Sequence, residues 1–404
     1  MIGLQPHGSS QGVVDNRSNE RDPRFDFVRG MCLIWIFIGH IEGSPFHALT
    51  LKRFSIMDAA EVFVFISGFV CGLVYTRKYL NAGFSGCVRK ATKRGVQIWA
   101  AQVATFLGSC AVLYYFSSRG TYMMLHDGHL YTFLARPIET VAAAMALIHA
   151  PGLTGLLSLY VVMILLTPLA LHALQRWPWW TMTLSFGLYL VTQFAPAVNL
   201  YLLFPSRTPW VFNPIAWQFL FVGALLLGSR KARGLRIRPD FPRWVTLGAI
   251  IGLILIAFLR CAESPKLARL IGSDALLNWL AAIPDGLRFD DKENMEPLRL
   301  FNLVLWVIVA SELHRGLRIW RSVVARPLVA LGSNSLIVYS AGVVLSYAAM
   351  GILDLYSDDN LMQLGVVVAG VAVMLGVATL DRRLRWPERK AAAVESSDGR
   401  TVPG

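Results

Sequence analysis

Two ionisable side chains, Arg29 and His40, stand in one apolar segment, Phe27-Val-Arg-Gly-Met-Cys-Leu-Ile-Trp-Ile-Phe-Ile-Gly-His40. Burying such groups in hydrocarbon costs at least a few kcal/mol each, so in a membrane helix they read first as a functional site. The eleven residue steps from Arg29 to His40 turn an α-helix through about 1100°, three turns plus roughly 20°, and place both side chains on one stripe about 16 Å apart. Asp26, one turn before Arg29, joins that stripe. An imidazole at this position suits proton transfer, and a guanidinium suits the holding of an anion. The alternative is that Arg29 snorkels to a lipid headgroup while His40 marks the far interface.

The next apolar segment opens Met57-Asp58-Ala-Ala-Glu61-Val-Phe-Val-Phe-Ile-Ser67-Gly68. If the first helix starts near Asp26, His40 lies about 21 Å along it, in the outer third of a hydrocarbon core of about 30 Å. Asp58 and Glu61, on a returning helix, then share its level. A carboxylate beside an imidazole fixes the tautomer and raises basicity, as a general base requires. Helix-start acids favoured by the macrodipole explain Asp58 equally well, and Glu61 less well. Arg77, Lys78, Arg89, Lys90, Lys93 and Arg94 crowd the turn after that helix, near the end of the first helix that carries Arg29. Such a cluster pairs with phosphate oxygens, although retention of the turn in the cytoplasm also accounts for it. A donor with its phosphates there and its reactive carbonyl about 16 Å deeper would bridge Arg29 and His40.

Polar groups recur in otherwise apolar stretches: Asn213, Trp217 and Gln218 in one, Arg299 and Asn302 in another, Asn334 within Gly332-Ser-Asn-Ser335 in a third. They read as substrate contacts lining a cavity with His40, or as the hydrogen-bonding glue of a helix bundle.

The elements that must position these residues follow from composition. The 404 residues are 55% hydrophobic and only 16% charged, which excludes an ordinary soluble domain. Apolar runs at 27–43, 57–76, 96–117, 153–174, 179–197, 214–229, 244–259, 298–314, 328–350 and 361–381 predict an all-α polytopic membrane protein, a bundle of about ten transmembrane helices. The stretch 138–150 is too short to span and reads as re-entrant or interfacial. Lys and Arg concentrate before Arg29 and in 77–94, 230–243, 315–326 and 382–400. That alternation follows the positive-inside rule with both termini cytoplasmic, and the net charge of +13 then sets topology rather than nucleic-acid binding. Residues 1–24 read as a polar cytoplasmic segment without a secretory signal, 25–389 as the transmembrane domain and 390–404 as a disordered cytoplasmic tail. Five cysteines without paired spacing predict neither disulfides nor a zinc site. His126-Asp-Gly-His129 is half of a metal motif and lacks a third ligand, so no metal is expected.

Several segments together resemble the OpgC family, whose founding activity is succinylation of osmoregulated periplasmic glucans. They are Arg24-Phe-Asp26-Phe-Val-Arg29-Gly30, Gly39-His40, Asp58-Ala-Ala-Glu61 through Ser67-Gly68-Phe, and Arg89-Lys-Ala-Thr-Lys-Arg94. Leu159-Tyr160, Leu166-Thr-Pro-Leu169, Asn213-Pro-Ile-Ala-Trp217-Gln218 and Leu331-Gly-Ser-Asn334-Ser335-Leu336 continue the match across nearly the whole chain. That family is similar to membrane acyltransferase family three, in which an Arg and a His of the first span, here Arg29 and His40, carry the activity. The resemblance implies a multi-pass protein of the bacterial inner membrane that moves an acyl group from cytosolic acyl-CoA, succinyl-CoA first, to a hydroxyl of a periplasmic glucan. CoA thioester, glucan and membrane lipids would be its partners, with no permanently bound cofactor. In that reading His40 is the general base, oriented by Glu61 or Asp58. Arg29 with Asp26, Arg89, Lys90, Lys93 and Arg94 receives the donor, while Gln218, Trp217, Asn213, Arg299 and Asn334 contact substrate. A covalent acyl-His intermediate stays open, and a glycan transporter or flippase with the polar stripe lining its path is the rival function.

Overall fold

The computed structural model describes residues 22–41, 44–120, 128–149, 152–195, 198–205, 208–235, 237, 241–262, 292–313, 319–356 and 359–384. The N-terminal segment before residue 22, the tail after residue 384 and His126 of the half metal motif lie outside these residues. The side chain of His129 does too.

Helix α1, Pro23–Gly39, begins where Asp22 accepts the Arg24 backbone N–H at 3.1 Å and Pro23 occupies the first turn. Both features satisfy or remove donors that a helix start leaves open. The helix ends at His40, whose N–H donates back to Ile36 and Phe37. Two short 3-10 turns, Pro45–Leu49 and Leu51–Arg53, lead to α2, Ala59–Ser117. A capping box starts α2: Asp58 accepts from the Ala60 N–H at 2.8 Å, and Glu61 accepts from the Asp58 N–H at 3.0 Å.

The basic segment 77–94 is helix rather than loop, broken only at Gly83, where φ is +65° and ψ −170°. Glycine alone takes that conformation without a Cβ penalty. The break folds α2 into a hairpin of two arms, since the Lys90 ammonium lies 5.7 Å from the centre of the Tyr75 ring, whereas fifteen residues of straight helix span about 22 Å.

Helices α3 (Gly128–Ala135), α4 (Pro137–Met145), α5 (Gly155–Arg176) and α6 (Pro178–Phe194) follow. The stretch expected to be re-entrant is the nine-residue α4, to which Trp99 is tied by a 2.8 Å hydrogen bond onto the Met145 carbonyl. A two-residue hairpin, Tyr201–Leu202 with Thr208–Pro209, precedes α7 (Pro214–Ala232) and α8 (Arg243–Ala262). Then come α9 (Pro297–Leu313), α10 (Arg326–Ser333), α11 (Ser335–Leu355) and α12 (Asn360–Leu384).

Among the described residues five helices, α2, α5, α8, α11 and α12, are long and apolar enough to cross a membrane. The protein is thus an all-α membrane protein. Of the remaining expected spans, three fall on helices of 17 residues, α1, α6 and α9, which is about 25 Å and short of the hydrocarbon thickness. The fourth falls on the 19-residue α7, whose last turn carries Arg230 and Lys231. The expected 96–117 span is the second arm of α2, and the 328–350 stretch is split at Asn334 between α10 and α11.

Two backbone crossings set the frame of the site. A Cβ on Gly30 of α1 would collide with the Leu328 carbonyl of α10, and one on Gly332 of α10 with the Asp26 carbonyl of α1. Small residues thereby bring these helices into backbone contact, a common device where lipid supplies no hydrophobic drive. The first arm of α2 meets α7 in the same way, through Gly68, Gly72 and Gly228.

Candidate active site

Four helices, α1, α2, α5 and α11, enclose two cavities stacked along one axis. One, of about 440 Å³, is lined by Arg29 from α1, by Phe63, Ser67, Cys71 and Tyr75 from the first arm of α2, and by Lys90, Lys93 and Arg94 from the second. Leu157, Tyr160 and Ile164 of α5 and Ser335 and Leu336 of α11 complete it. The second, of about 610 Å³, is lined by Trp35, Ile36, Gly39 and His40 from the end of α1, by Asp58, Ala59 and Ala60 from the start of α2, and by His47, Lys52, Arg53 and Lys292. Both volumes fall in the range of small-molecule sites.

The order of lining residues along each helix is consistent. The chain of α1 runs from the first cavity to the second, and so does α11 from Ser335 to Tyr339, while α2 and α5 run the opposite way. Leu156 and Tyr339 line both cavities. Arg29 and His40 therefore belong to adjacent chambers of one axis rather than to a single pocket.

Arg29 is 8% exposed, and its guanidinium stands 3.6 Å from the Asp26 carboxylate, itself buried at 3%. Arg29 directly precedes Gly30 and the Asp26 carbonyl faces Gly332, so the α1–α10 crossing fixes the height of the pair. Asp26 is not part of the cavity wall, so its effect on the chamber passes through Arg29. Of the basic cluster, Lys90, Lys93 and Arg94 face the chamber, and Arg89 is exposed and does not line it. The cations gather because the Gly83 hairpin returns the second arm alongside the first.

His40 is half-buried, and its buried Nδ1 has no hydrogen-bond partner among the described residues. The Glu61 carboxylate is occupied elsewhere. It accepts the Asp58 N–H, accepts the Arg299 Nε at 2.6 Å and forms an ion pair with the same guanidinium. Glu61 and Arg299 are 0% and 2% exposed, and such a pair persists in apolar surroundings because each charge neutralises the other. Asp58 caps α2, pairs with the Lys292 ammonium and stands 3.8 Å from Arg299. Neither carboxylate is hydrogen-bonded to His40, although Asp58, Lys292 and His47 act on the ring electrostatically.

The residues expected to contact substrate also tie the scaffold together. Gln218 exchanges hydrogen bonds with Ser185, joining α7 to α6. Asn213 caps α7 and reaches Asn199 and Asn294, each at 3.0 Å. Trp217, fully buried, donates to the Lys292 carbonyl at 2.9 Å. Tyr189 donates to the Met295 carbonyl, and Gln193 to that of Asn294. Together these bonds pin segment 292–296 and so fix Lys292 opposite Asp58. Arg299 is consumed by Glu61. Asn334 donates to the Ala330 and Ala378 carbonyls, both at 3.1 Å, at the break between α10 and α11. It also lines a third cavity, of about 1030 Å³, that reaches Arg29 and Arg94 from another side.

Lys292, His47, Lys52, Arg53, Leu156 and Tyr339 are among the lining residues that sequence reasoning did not select. Lys292 follows a charged stretch with no periodicity. The only available signal for Tyr339 was its place one turn after Ser335 on an apolar helix.

No curated protein and no solved structure matches the chain. The family model described as OpgC protein matches residues 21–386, which include both chambers and every helix that walls them. The chain belongs to the OpgC family.

Proposed function

We propose that the protein is a transmembrane O-acyltransferase that takes an acyl group from acyl-CoA on the cytoplasmic side and transfers it to a glucan hydroxyl on the periplasmic side. Family membership implies acyltransferase activity in general, of the glucan-modifying kind. The observation that carries the finer reading is the stacking of a cationic chamber on an imidazole chamber along one axis, with two shared wall residues.

In this reading the cytoplasm faces Arg29 and the basic arm, the chain crosses the inner membrane about ten times and both termini are cytoplasmic, in keeping with the positive-inside rule. Arg29, Lys90, Lys93 and Arg94 receive the CoA phosphates, where charge-assisted hydrogen bonds are strongest. The pantetheine arm carries the thioester toward Tyr339. A glucan hydroxyl enters the second chamber and gives its proton to His40 as its oxygen attacks the thioester carbon. The new C–O bond forms, the C–S bond breaks, and the imidazolium returns the proton to the departing thiolate, leaving CoA thiol and acylated glucan. With its Nδ1 buried and unpartnered, His40 takes no carboxylate helper in this scheme. Lys292, held by its ion pair with Asp58, stabilises the developing oxyanion. Lys52 and Arg53, which line the chamber, favour an acyl group ending in a carboxylate, and succinyl-CoA is the donor proposed.

A transporter needs a path wide enough for a sugar, whereas the two chambers are divided by buried Leu156 and Tyr339. That division favours passage of a small group.

The test uses purified protein in detergent with succinyl-CoA and a β-glucan, following thiol release and acylated glucan. His40→Ala is expected to abolish glucan-dependent release, general acid–base catalysis being worth about 10²–10⁴-fold. Unchanged release in that variant overturns the role of His40, and glucan uptake into vesicles without acylation overturns the enzyme.

A further inference from the structure

We propose that Leu156 and Tyr339 form the partition the acyl group must cross, and that this pair sets which acyl groups pass. The inference rests on the acyl-transfer reading for its specificity part, while the partition itself stands on geometry alone. Leu156 opens the first turns of α5 and Tyr339 lies in the second turn of α11, and they are 3% and 4% exposed. Each lines the Arg29 chamber and the His40 chamber. The Tyr339 hydroxyl donates to the Leu153 carbonyl at 2.8 Å, in the 3-10 turn Gly152–Thr154 that precedes α5. This bond anchors the phenol to the helix that supplies the other half of the wall.

Along α2 the change of chamber falls within one turn, since Ala59 and Ala60 line the His40 side and Phe63 lines the other. The partition is therefore about one side chain thick. Two helices hold it from opposite directions, and one neutral hydrogen bond latches it. A single neutral hydrogen bond is a weak latch, because water replaces it when it opens. Such a crossing lets the acyl end of an extended thioester reach the His40 chamber and holds the sugar back in it. Water reaching the donor from the second chamber is limited by the same wall, which protects the thioester from hydrolysis.

Cys71 reports on this directly, because it lines the Arg29 chamber and is absent from the His40 chamber. A charged, membrane-impermeant methanethiosulfonate is added to sealed vesicles of each orientation, and Cys71 modification is read by peptide mass spectrometry. In the unaltered protein Cys71 is expected to react only from the Arg29 face. In Tyr339→Ala it is expected to react from both faces, with at least a tenfold rise from the His40 face. Leu156→Ala is the second variant, carrying the test if the tyrosine variant does not fold, and its folding is checked by unchanged labelling from the Arg29 face. Labelling of the unaltered protein equally from both faces, or its failure from the Arg29 face, overturns the partition. So does a rise in neither variant.

The specificity part is read by transfer from acetyl-, succinyl- and octanoyl-CoA. Leu156→Ala is expected to raise octanoyl relative to succinyl transfer at least fivefold, and an unchanged ratio overturns that part. Labelling needs no chemistry at His40, so failure of acyl transfer and failure of the partition give different results.

Discussion

A carboxylate that holds an arginine in a dry interior is not free to orient an imidazole. Glu61 was expected beside His40 because both lie at one depth on neighbouring helices, and depth was all that helical rise could supply. Its partner, Arg299, is 238 positions away in the chain, a pairing that no local pattern encodes. The expected consequence is that Glu61→Gln acts on stability. Leaving Arg299 with only the Asp58 carboxylate, 3.8 Å away, costs up to about 3 kcal/mol, read as a lower thermal midpoint in detergent. Adding Arg299→Leu is expected to recover most of that loss, and a midpoint that falls further in the double variant contradicts the pairing. Arg29, by contrast, was legible, because an eleven-step spacing on an apolar helix is arithmetic. For Arg29→Lys the loss of one charged hydrogen bond, about 1.5 kcal/mol, is expected to weaken acyl-CoA binding about tenfold. Titration calorimetry with a non-hydrolysable thioether analogue measures it, and unchanged affinity removes Arg29 from donor binding.

Helices place these side chains through contacts that leave little tolerance. Gly30 and Gly332 let α1 and α10 meet backbone to backbone, so Gly332→Ala is expected to separate the helices and lower both thermal stability and donor binding. Gly376→Ala, on α12 with nothing within 4 Å of its Cβ position, is the matched control and is expected to leave both unchanged. Equal behaviour of the two variants contradicts the crossing. The start of α1 depends on Asp22, and Asp22→Ala is expected to cost about 1 kcal/mol, the usual value of an N-cap, again as a thermal shift. Helix existence was readable almost everywhere from apolar run length. The basic segment 77–94 was misjudged as a turn because its charge marked it as polar, yet Arg, Lys and Ala are strong helix formers. Only Gly83 supplies the reversal, and a single glycine among polar residues carries too weak a signal to locate one. The Asn334 break was likewise hidden inside a run that hydropathy reads as continuous.

At the level of the whole molecule two chambers follow one another along an axis, one holding Arg29 and the cations of the second α2 arm, the other holding His40 with Lys52, Arg53 and Lys292, and the proposed wall lies between them. The sequence conveyed the two ends, since charge clusters and apolar runs are local properties. The proposed wall joins two helices distant in the chain, and in the sequence Leu156 and Tyr339 are indistinguishable from ordinary core residues. Short helices such as α1 and α9, of 17 residues each, carry charged residues that shorten their apolar stretch, so hydropathy alone reads them less clearly than α5 or α11. What distinguishes the proposed reaction from that of a one-sided enzyme is that its donor and acceptor never share a compartment. Sealed proteoliposomes of one orientation, with radiolabelled succinyl-CoA on the Arg29 side and β-glucan on the His40 side, examine that separation. Labelled glucan is expected to accumulate on the His40 side in the unaltered protein and to vanish in His40→Ala. Labelled glucan that forms only when both substrates are placed on the same side contradicts it.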